Sequence, residues 1–222
     1  MTARQLALDL PCRGAMGMED FLLSPCNRDA VRLIDRWPDW DDAVLLVGGP
    51  AACGKTHLLN VWRQRSAARM LDETTLKALA AGHAVLPPGA VVAVDGLGQK
   101  HSEAGLFHLI NWVRETAGFL LITGRGVPSR WDVGLADLRS RLRAAPQVVI
   151  AQPDDALLRA VLAKLFSDRQ LKVAPAVIDY LSRHMERTFD SARRLVGEID
   201  SRSLTAKDAI TIRLVKKILA GG

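Results

Sequence analysis

The sequence carries three cysteines, Cys12, Cys26 and Cys53, with no Cys-x-x-Cys pair and no histidine cluster beside them. That pattern indicates neither a disulfide framework nor a zinc site, and reduced thiols are expected. No stretch approaches the ~18 uninterrupted apolar residues of a membrane span, and the opening MTARQLALDLPCRGA lacks the apolar h-region of a secretory signal. A cytoplasmic protein without a membrane partner is the expectation. Internal repeats and low-complexity segments are also missing, and 49% apolar with 24% charged residues is an ordinary balance for a packed protein. A net charge of +6 favours polyanionic partners, nucleotide, nucleic acid or an acidic protein surface, without choosing among them.

What is present divides the 222 residues into three stretches. Residues 1–17 read as a short apolar-polar peptide ending at Pro11, followed by the small-residue tether CRGAMG. Residues 18–153 alternate strand and helix. Asn27 is placed to cap a helix running to Trp37, and the buried-strand runs are AVLLVG at 43–48, VVAVDGL at 91–97, FLLITG at 119–124 and QVVIAQ at 147–152. Between them, Thr56 to Arg69, LDETTLKAL and FHLINWVRETA at 107–117 have helical spacing, which makes this region α/β with a doubly wound parallel sheet and crossover helices. Residues 154–222 hold four helical patterns and no strand, a small all-helical lid.

The most specific motif is Gly49-Pro50-Ala51-Ala52-Cys53-Gly54-Lys55-Thr56, between a predicted strand and a predicted helix. This fits the P-loop pattern, with a chance glycine-rich turn as the plainer alternative: the glycines let successive N–H groups turn toward phosphate, Lys55 reaches the β and γ phosphates of ATP or the β phosphate of ADP, and the Thr56 hydroxyl ligates Mg2+. Asp95 ends the strand VVAVD, where such folds place an acidic residue that organises the magnesium. A loop-starting aspartate is the plainer alternative there.

The P-loop GPAACGKTHLL, the strand LLITG, the segment LADLRSRL and the terminal AITIRLVKKIL together resemble the AAA+ domain of the replication initiator DnaA. The resemblance covers most of the chain and is closer to the shortened Hda family, the regulatory inactivators of DnaA. It implies a P-loop AAA+ core with nucleotide held between core and lid. At Gly96, where many AAA+ proteins place the carboxylate that orients the attacking water, there is no side chain, so slow intrinsic hydrolysis is implied.

Three features favour the regulator over the initiator. With Gly222 just after the last lid helix, the resemblance implies a protein expected to lack the initiator's origin-reading helix-turn-helix module. Gln5-Leu6-Ala7-Leu8-Asp9-Leu10 looks like the family's QLxLxL peptide for the DNA polymerase sliding clamp (its β subunit), with Leu8 and Leu10 as apolar anchors and Gln5 as hydrogen-bonding group; the alternative is an N-terminal edge strand. Arg141, within Leu138-Arg139-Ser140-Arg141-Leu142, matches the family's arginine-finger position, where a guanidinium stabilises charge on a neighbour's γ-phosphate. The alternative is that Arg139, Arg141 and Arg143 form a solvated helix face.

The chain departs from the family pattern at two sensors. Arg125 stands where the sensor-1 aspartate is usual, with Thr123 left as the polar strand-end group. The sensor-2 arginine aligns without gaps on Asp190, and the lid pattern of small residues then arginine, Asp190-Ser191-Ala192-Arg193, gives Arg193 instead, with a surface arginine as the alternative. The resemblance therefore implies an ATP- or ADP-binding regulator that stimulates hydrolysis by DnaA together with the DNA-loaded clamp. Contact with DNA is indirect or weak on this reading, and self-association is left open. A self-sufficient AAA+ ATPase and a DNA-binding replication accessory factor remain as rivals.

Overall fold

In the computed structural model the described residues are 22–97, 101–206 and 210–220. The chain divides into two compact units, one of them Asn27–Ala151 and the other containing the helices that follow Gln152.

Within Asn27–Ala151 the strands are β1 (Val44–Gly48), β2 (Arg69–Met70), β3 (Val91–Leu97), β4 (Phe119–Gly124) and β5 (Gln147–Val149). They form one parallel sheet in the order β2-β3-β4-β1-β5. The helices are α1 (Arg28–Asp35), α2 (Lys55–Ser66), α3 (Glu73–Ala80), α4 (Glu103–Glu115) and α5 (Ala136–Ala144). Burial explains the continuous apolar runs: all five residues of β1 are buried, as a strand covered on both faces must be. Alternate residues Val44, Leu46, Val92, Val94, Leu120 and Ile122 join a core closed by Leu76, Leu106, Leu109, Ile110, Val113, Leu138 and Leu142 from α3, α4 and α5. Leu45, Val47 and Leu121 are also buried, as are Leu58, Leu59 and Trp62 of α2, which packs on β3 and β4.

Side-chain caps set the starts of two of these helices. The Asp72 side chain accepts from Thr75 N at 2.8 Å and caps α3, while Ser102 accepts from Gly105 N at 3.2 Å and starts α4 four residues before the apolar pattern suggests. Asn27 sits at the start of α1 but makes no capping bond to it, and the helix ends at Asp35 rather than Trp37. β5 covers only the first half of the predicted 147–152 run, and β2 had no counterpart in the sequence reading.

The second unit contains α6 (Asp155–Asp168), α7 (Pro175–His184), α8 (Phe189–Ala206) and α9 (Ile212–Ala220). Asp154 caps α6 through Leu157 N at 2.7 Å, and Pro175 occupies the first turn of α7, where its missing N–H costs nothing. Leu162, Phe166, Leu181, Val196, Ile199 and Val215 lie in one core, so the helices bury their apolar stripes against one another. Among the described residues no helix is long and apolar enough to cross a membrane.

Candidate functional site

The end of β1 meets the start of α2 through Gly49 to Gly54, and the geometry of that turn explains its residue types. Gly49 has φ +150°, and a Cβ there would lie 2.5 Å from Ile150 O and 2.8 Å from Cys53 Sγ. Gly54, with φ +100°, is the N-cap of α2 and provides no side-chain acceptor for the helix's first amides. A helix N-terminus with its amides left to a ligand, carrying the positive end of the macrodipole, is suited to phosphate.

Lys55 is buried, 9% exposed, and its Nζ donates to Gly49 O at 3.0 Å and Pro50 O at 2.5 Å, with Cys53 Sγ at 3.6 Å. The ammonium is thus held inside the loop by backbone carbonyls, on the side where the loop turns.

Two strand ends and the start of α2 converge beside it. Thr56 Oγ1 donates to Asp95 Oδ2 at 2.8 Å, and Thr123 Oγ1 donates to Asp95 Oδ1. Gly96 N in turn donates to Thr123 Oγ1 at 2.9 Å. Both carboxylate oxygens of Asp95 therefore have hydroxyl partners, one from α2 and one from β4. The β3–β4 register breaks between Val94 and Leu97, and Gly96 takes φ +73° within that irregularity. A Cβ on Gly96 would meet no atom within 4 Å, so the position is open but set in a left-handed backbone that favours glycine.

Thr56 and Asp95 supply a hydroxyl and a carboxylate, hard oxygen donors of the kind Mg2+ accepts. Among the described residues no cluster of three or more His, Cys, Asp or Glu side chains gathers. One protein carboxylate and one hydroxyl fit a magnesium ion completed by phosphate and water, and the residues present fit that group.

The turn after β4 is tied to the P-loop in a way the motifs do not reveal. Gly49 N donates to Gly126 O at 2.8 Å and Gly126 N to Gly49 O at 3.0 Å, an antiparallel bridge between the two loops. Trp131 Nε1 donates to Arg125 O at 2.8 Å while its ring packs so closely on Gly124 that a Cβ there would lie 2.5 Å from Cζ2. Arg125 itself is exposed, and the polar group that reaches Asp95 is the buried Thr123, 1% exposed. The strand-end Thr123, to which no local motif gives a role, thus joins Thr56 in bonding the Asp95 carboxylate.

The three arginines of α5 differ in their surroundings. Arg141 Cζ lies 4.8 Å from the centroid of the Phe107 ring on α4, and Arg139 Nη1 donates to Val133 O at 3.1 Å, whereas Arg143 is exposed. On α8, Arg193 pairs with Asp190 at 3.6 Å, both largely exposed, so these two residues of the lid pattern form a surface i,i+3 pair. Gln5, Leu6, Leu8 and Leu10 lie outside the described residues.

A parallel five-stranded sheet with a P-loop after its β1, an aspartate at the end of β3 and a set of helices after the sheet is the AAA+ type of P-loop fold. Domain III of the Thermotoga maritima replication initiation protein DnaA is similar in fold, with a TM-score of 0.76 at 17% identity over 91% of this chain and 95% of that one. AMPPCP-bound DnaA from Aquifex aeolicus is similar at a TM-score of 0.64 and 17% identity over 81% of this chain, which spans 63% of that protein. A variant of Thermotoga maritima RuvB is also similar, at a TM-score of 0.68 and 16% identity over 86% of this chain and 66% of that one. Residues 155–219 match the family model for the Hda lid domain. Over the rest of the chain the likeness to DnaA is one of fold.

Proposed function

We propose that the chain is a nucleotide-binding regulator of replication initiation that acts on DnaA. The match of residues 155–219 to the Hda lid domain supports this reading most. The resemblance to AMPPCP-bound DnaA supports an adenine nucleotide, ADP or ATP, on the P-loop.

In this reading the α2 amides and Lys55 hold the phosphates, and Thr56 with Asp95 holds Mg2+, which neutralises phosphate charge when bound. Thr123 keeps the Asp95 carboxylate turned toward Thr56. With Gly96 lacking a side chain to orient water, the chain's own hydrolysis is slow. Its action falls on a partner: Arg141 enters the nucleotide site of ATP-bound DnaA and stabilises charge on the γ-phosphate. Residues Gln5, Leu6, Leu8 and Leu10 tether the chain to the DNA-loaded sliding clamp, so that DnaA is switched to its ADP form after the clamp is in place. Residues 1–17 serve as the tether, 18–153 as the nucleotide-binding core and 154–222 as the lid. Arg193, if released from Asp190, is the lid's group for the nucleotide.

The test is a mixture of the purified chain, DNA-loaded clamp and ATP-bound DnaA, with conversion of ATP to ADP followed as each component is omitted in turn. Conversion that needs all three supports the proposal. Conversion by the chain alone favours the self-sufficient ATPase, and conversion unaffected by the chain removes the regulatory reading.

A further inference from the structure

The helix that carries Arg141 begins without a side-chain cap, because Leu135 at its N-cap makes no such bond. A carboxylate from another helix fills that role. Glu103, in the first turn of α4, accepts from Leu135 N at 2.6 Å through Oε2 and from Gly134 N at 2.8 Å through Oε1. A negative charge accepting two amides at a helix start is favoured both by hydrogen bonding and by the macrodipole. One turn further along α4, on the same side, Phe107 offers its ring to the Arg141 guanidinium at 4.8 Å. α4 therefore grips α5 at two points, its start and Arg141.

α4 is itself held. Gly105, between the two gripping residues, packs so tightly on α3 that a Cβ there would lie 2.7 Å from the carbonyl carbon of Leu76. Ser102 N donates to Glu73 Oε2 of α3 at 2.9 Å. A continuous set of contacts thus runs from α3 through Ser102 and Gly105 to Glu103 and Phe107, and from these to α5.

We propose that Glu103 and Phe107 are positioning residues for Arg141, an inference that rests on the reading of Arg141 as a group acting on a partner's nucleotide. An arginine on an exposed helix face samples many rotamers. A ring stacked under the guanidinium removes much of that freedom beforehand while leaving the in-plane N–H groups free to fork onto phosphate oxygens. Less order then has to be gained when the partner's γ-phosphate arrives, so the effect falls on the rate at saturation rather than on partner affinity.

The experiment compares Phe107→Leu, Phe107→Tyr, Glu103→Gln and Arg141→Ala in the mixture of DNA-loaded clamp and ATP-bound DnaA. The maximal rate of DnaA hydrolysis and the chain concentration giving half of it are measured separately, with melting temperatures alongside. Phe107→Leu should lower the maximal rate about 5-fold by removing the π face. Glu103→Gln, which can accept from only one of the two amides, should lower it about tenfold. Half-maximal concentrations should stay unchanged, and Phe107→Tyr, which keeps the ring, should match the wild type. A merely structural role would lower the melting temperature without separating tyrosine from leucine. Wild-type maximal rates for Phe107→Leu and Glu103→Gln beside an inactive Arg141→Ala would overturn the inference and leave the reading of Arg141 standing. Losses confined to the half-maximal concentration would make the two residues partner contacts and also overturn it. Normal stimulation by Arg141→Ala would remove both.

Discussion

Replacing Thr123 with valine keeps the shape of a side chain that is 1% exposed and deletes one hydroxyl that makes two hydrogen bonds. One bond donates to Asp95 Oδ1 and the other accepts from Gly96 N at 2.9 Å. The bond to a carboxylate contributes about 1.5–3 kcal/mol, whereas Gly96 is exposed, so water can replace its partner at little cost. A net loss of about 2 kcal/mol is expected, equivalent to a fall of about 4–8 °C in melting temperature for a chain of this size. Thr123→Ser retains the hydroxyl and should lose much less. The functional consequence is specific: with Oδ1 facing a methyl group, the Asp95 carboxylate is free to rotate away from Thr56, and Mg2+ should add less to nucleotide affinity. Calorimetry of ADP binding with and without Mg2+ measures this difference directly. A valine variant as stable as the wild type, with the magnesium effect intact, would show that Thr123 does not hold the carboxylate.

Lys55→Ala should weaken ADP binding about 10- to 100-fold, since a charge-assisted contact to phosphate is removed, and saturating ADP should then raise the melting temperature of the wild type but not of the variant. Gly96→Glu should increase the chain's own ATP hydrolysis by supplying a water-orienting carboxylate, at about 1 kcal/mol of stability for a left-handed non-glycine residue, read by steady-state hydrolysis and thermal melting. Asp72 is held below the usual carboxylate range by its hydrogen bonds from the Thr75 hydroxyl and amide. Its contribution is complete above the ordinary carboxylate pKa and disappears as pH falls through its own lower value, so the melting-temperature gap between wild type and Asp72→Ala should close in strong acid.

The P-loop was legible because its chemistry is local: glycines, lysine and threonine at fixed spacing between a buried strand and a helix. The same holds for the four lid helices, whose apolar spacing is regular. β2 escaped because two residues, Arg69–Met70, are too few to show a period. The early start of α4 followed from a Ser102 cap preceding the apolar stripe. The role of Thr123 was hidden because its partner, Asp95, lies on the neighbouring strand, and only β3–β4 pairing brings them together. The Gly49–Gly126 bridge and the hold of Glu103 on Leu135 are likewise pairings between distant segments, which no local pattern encodes. Arg141 was picked out by resemblance alone, and its seat on Phe107 is what separates it from Arg143 in the structure.

In the proposed function Arg141 acts on a partner's nucleotide and not on the chain's own. That action is tested most directly by Arg141→Ala in the complete mixture of chain, DNA-loaded clamp and ATP-bound DnaA, beside Arg139→Ala and Arg143→Ala. Arg141→Ala alone should lose stimulation of DnaA hydrolysis while ADP binding, clamp binding and melting temperature stay at wild-type values. Equal losses from all three substitutions, or full stimulation by Arg141→Ala, would contradict it.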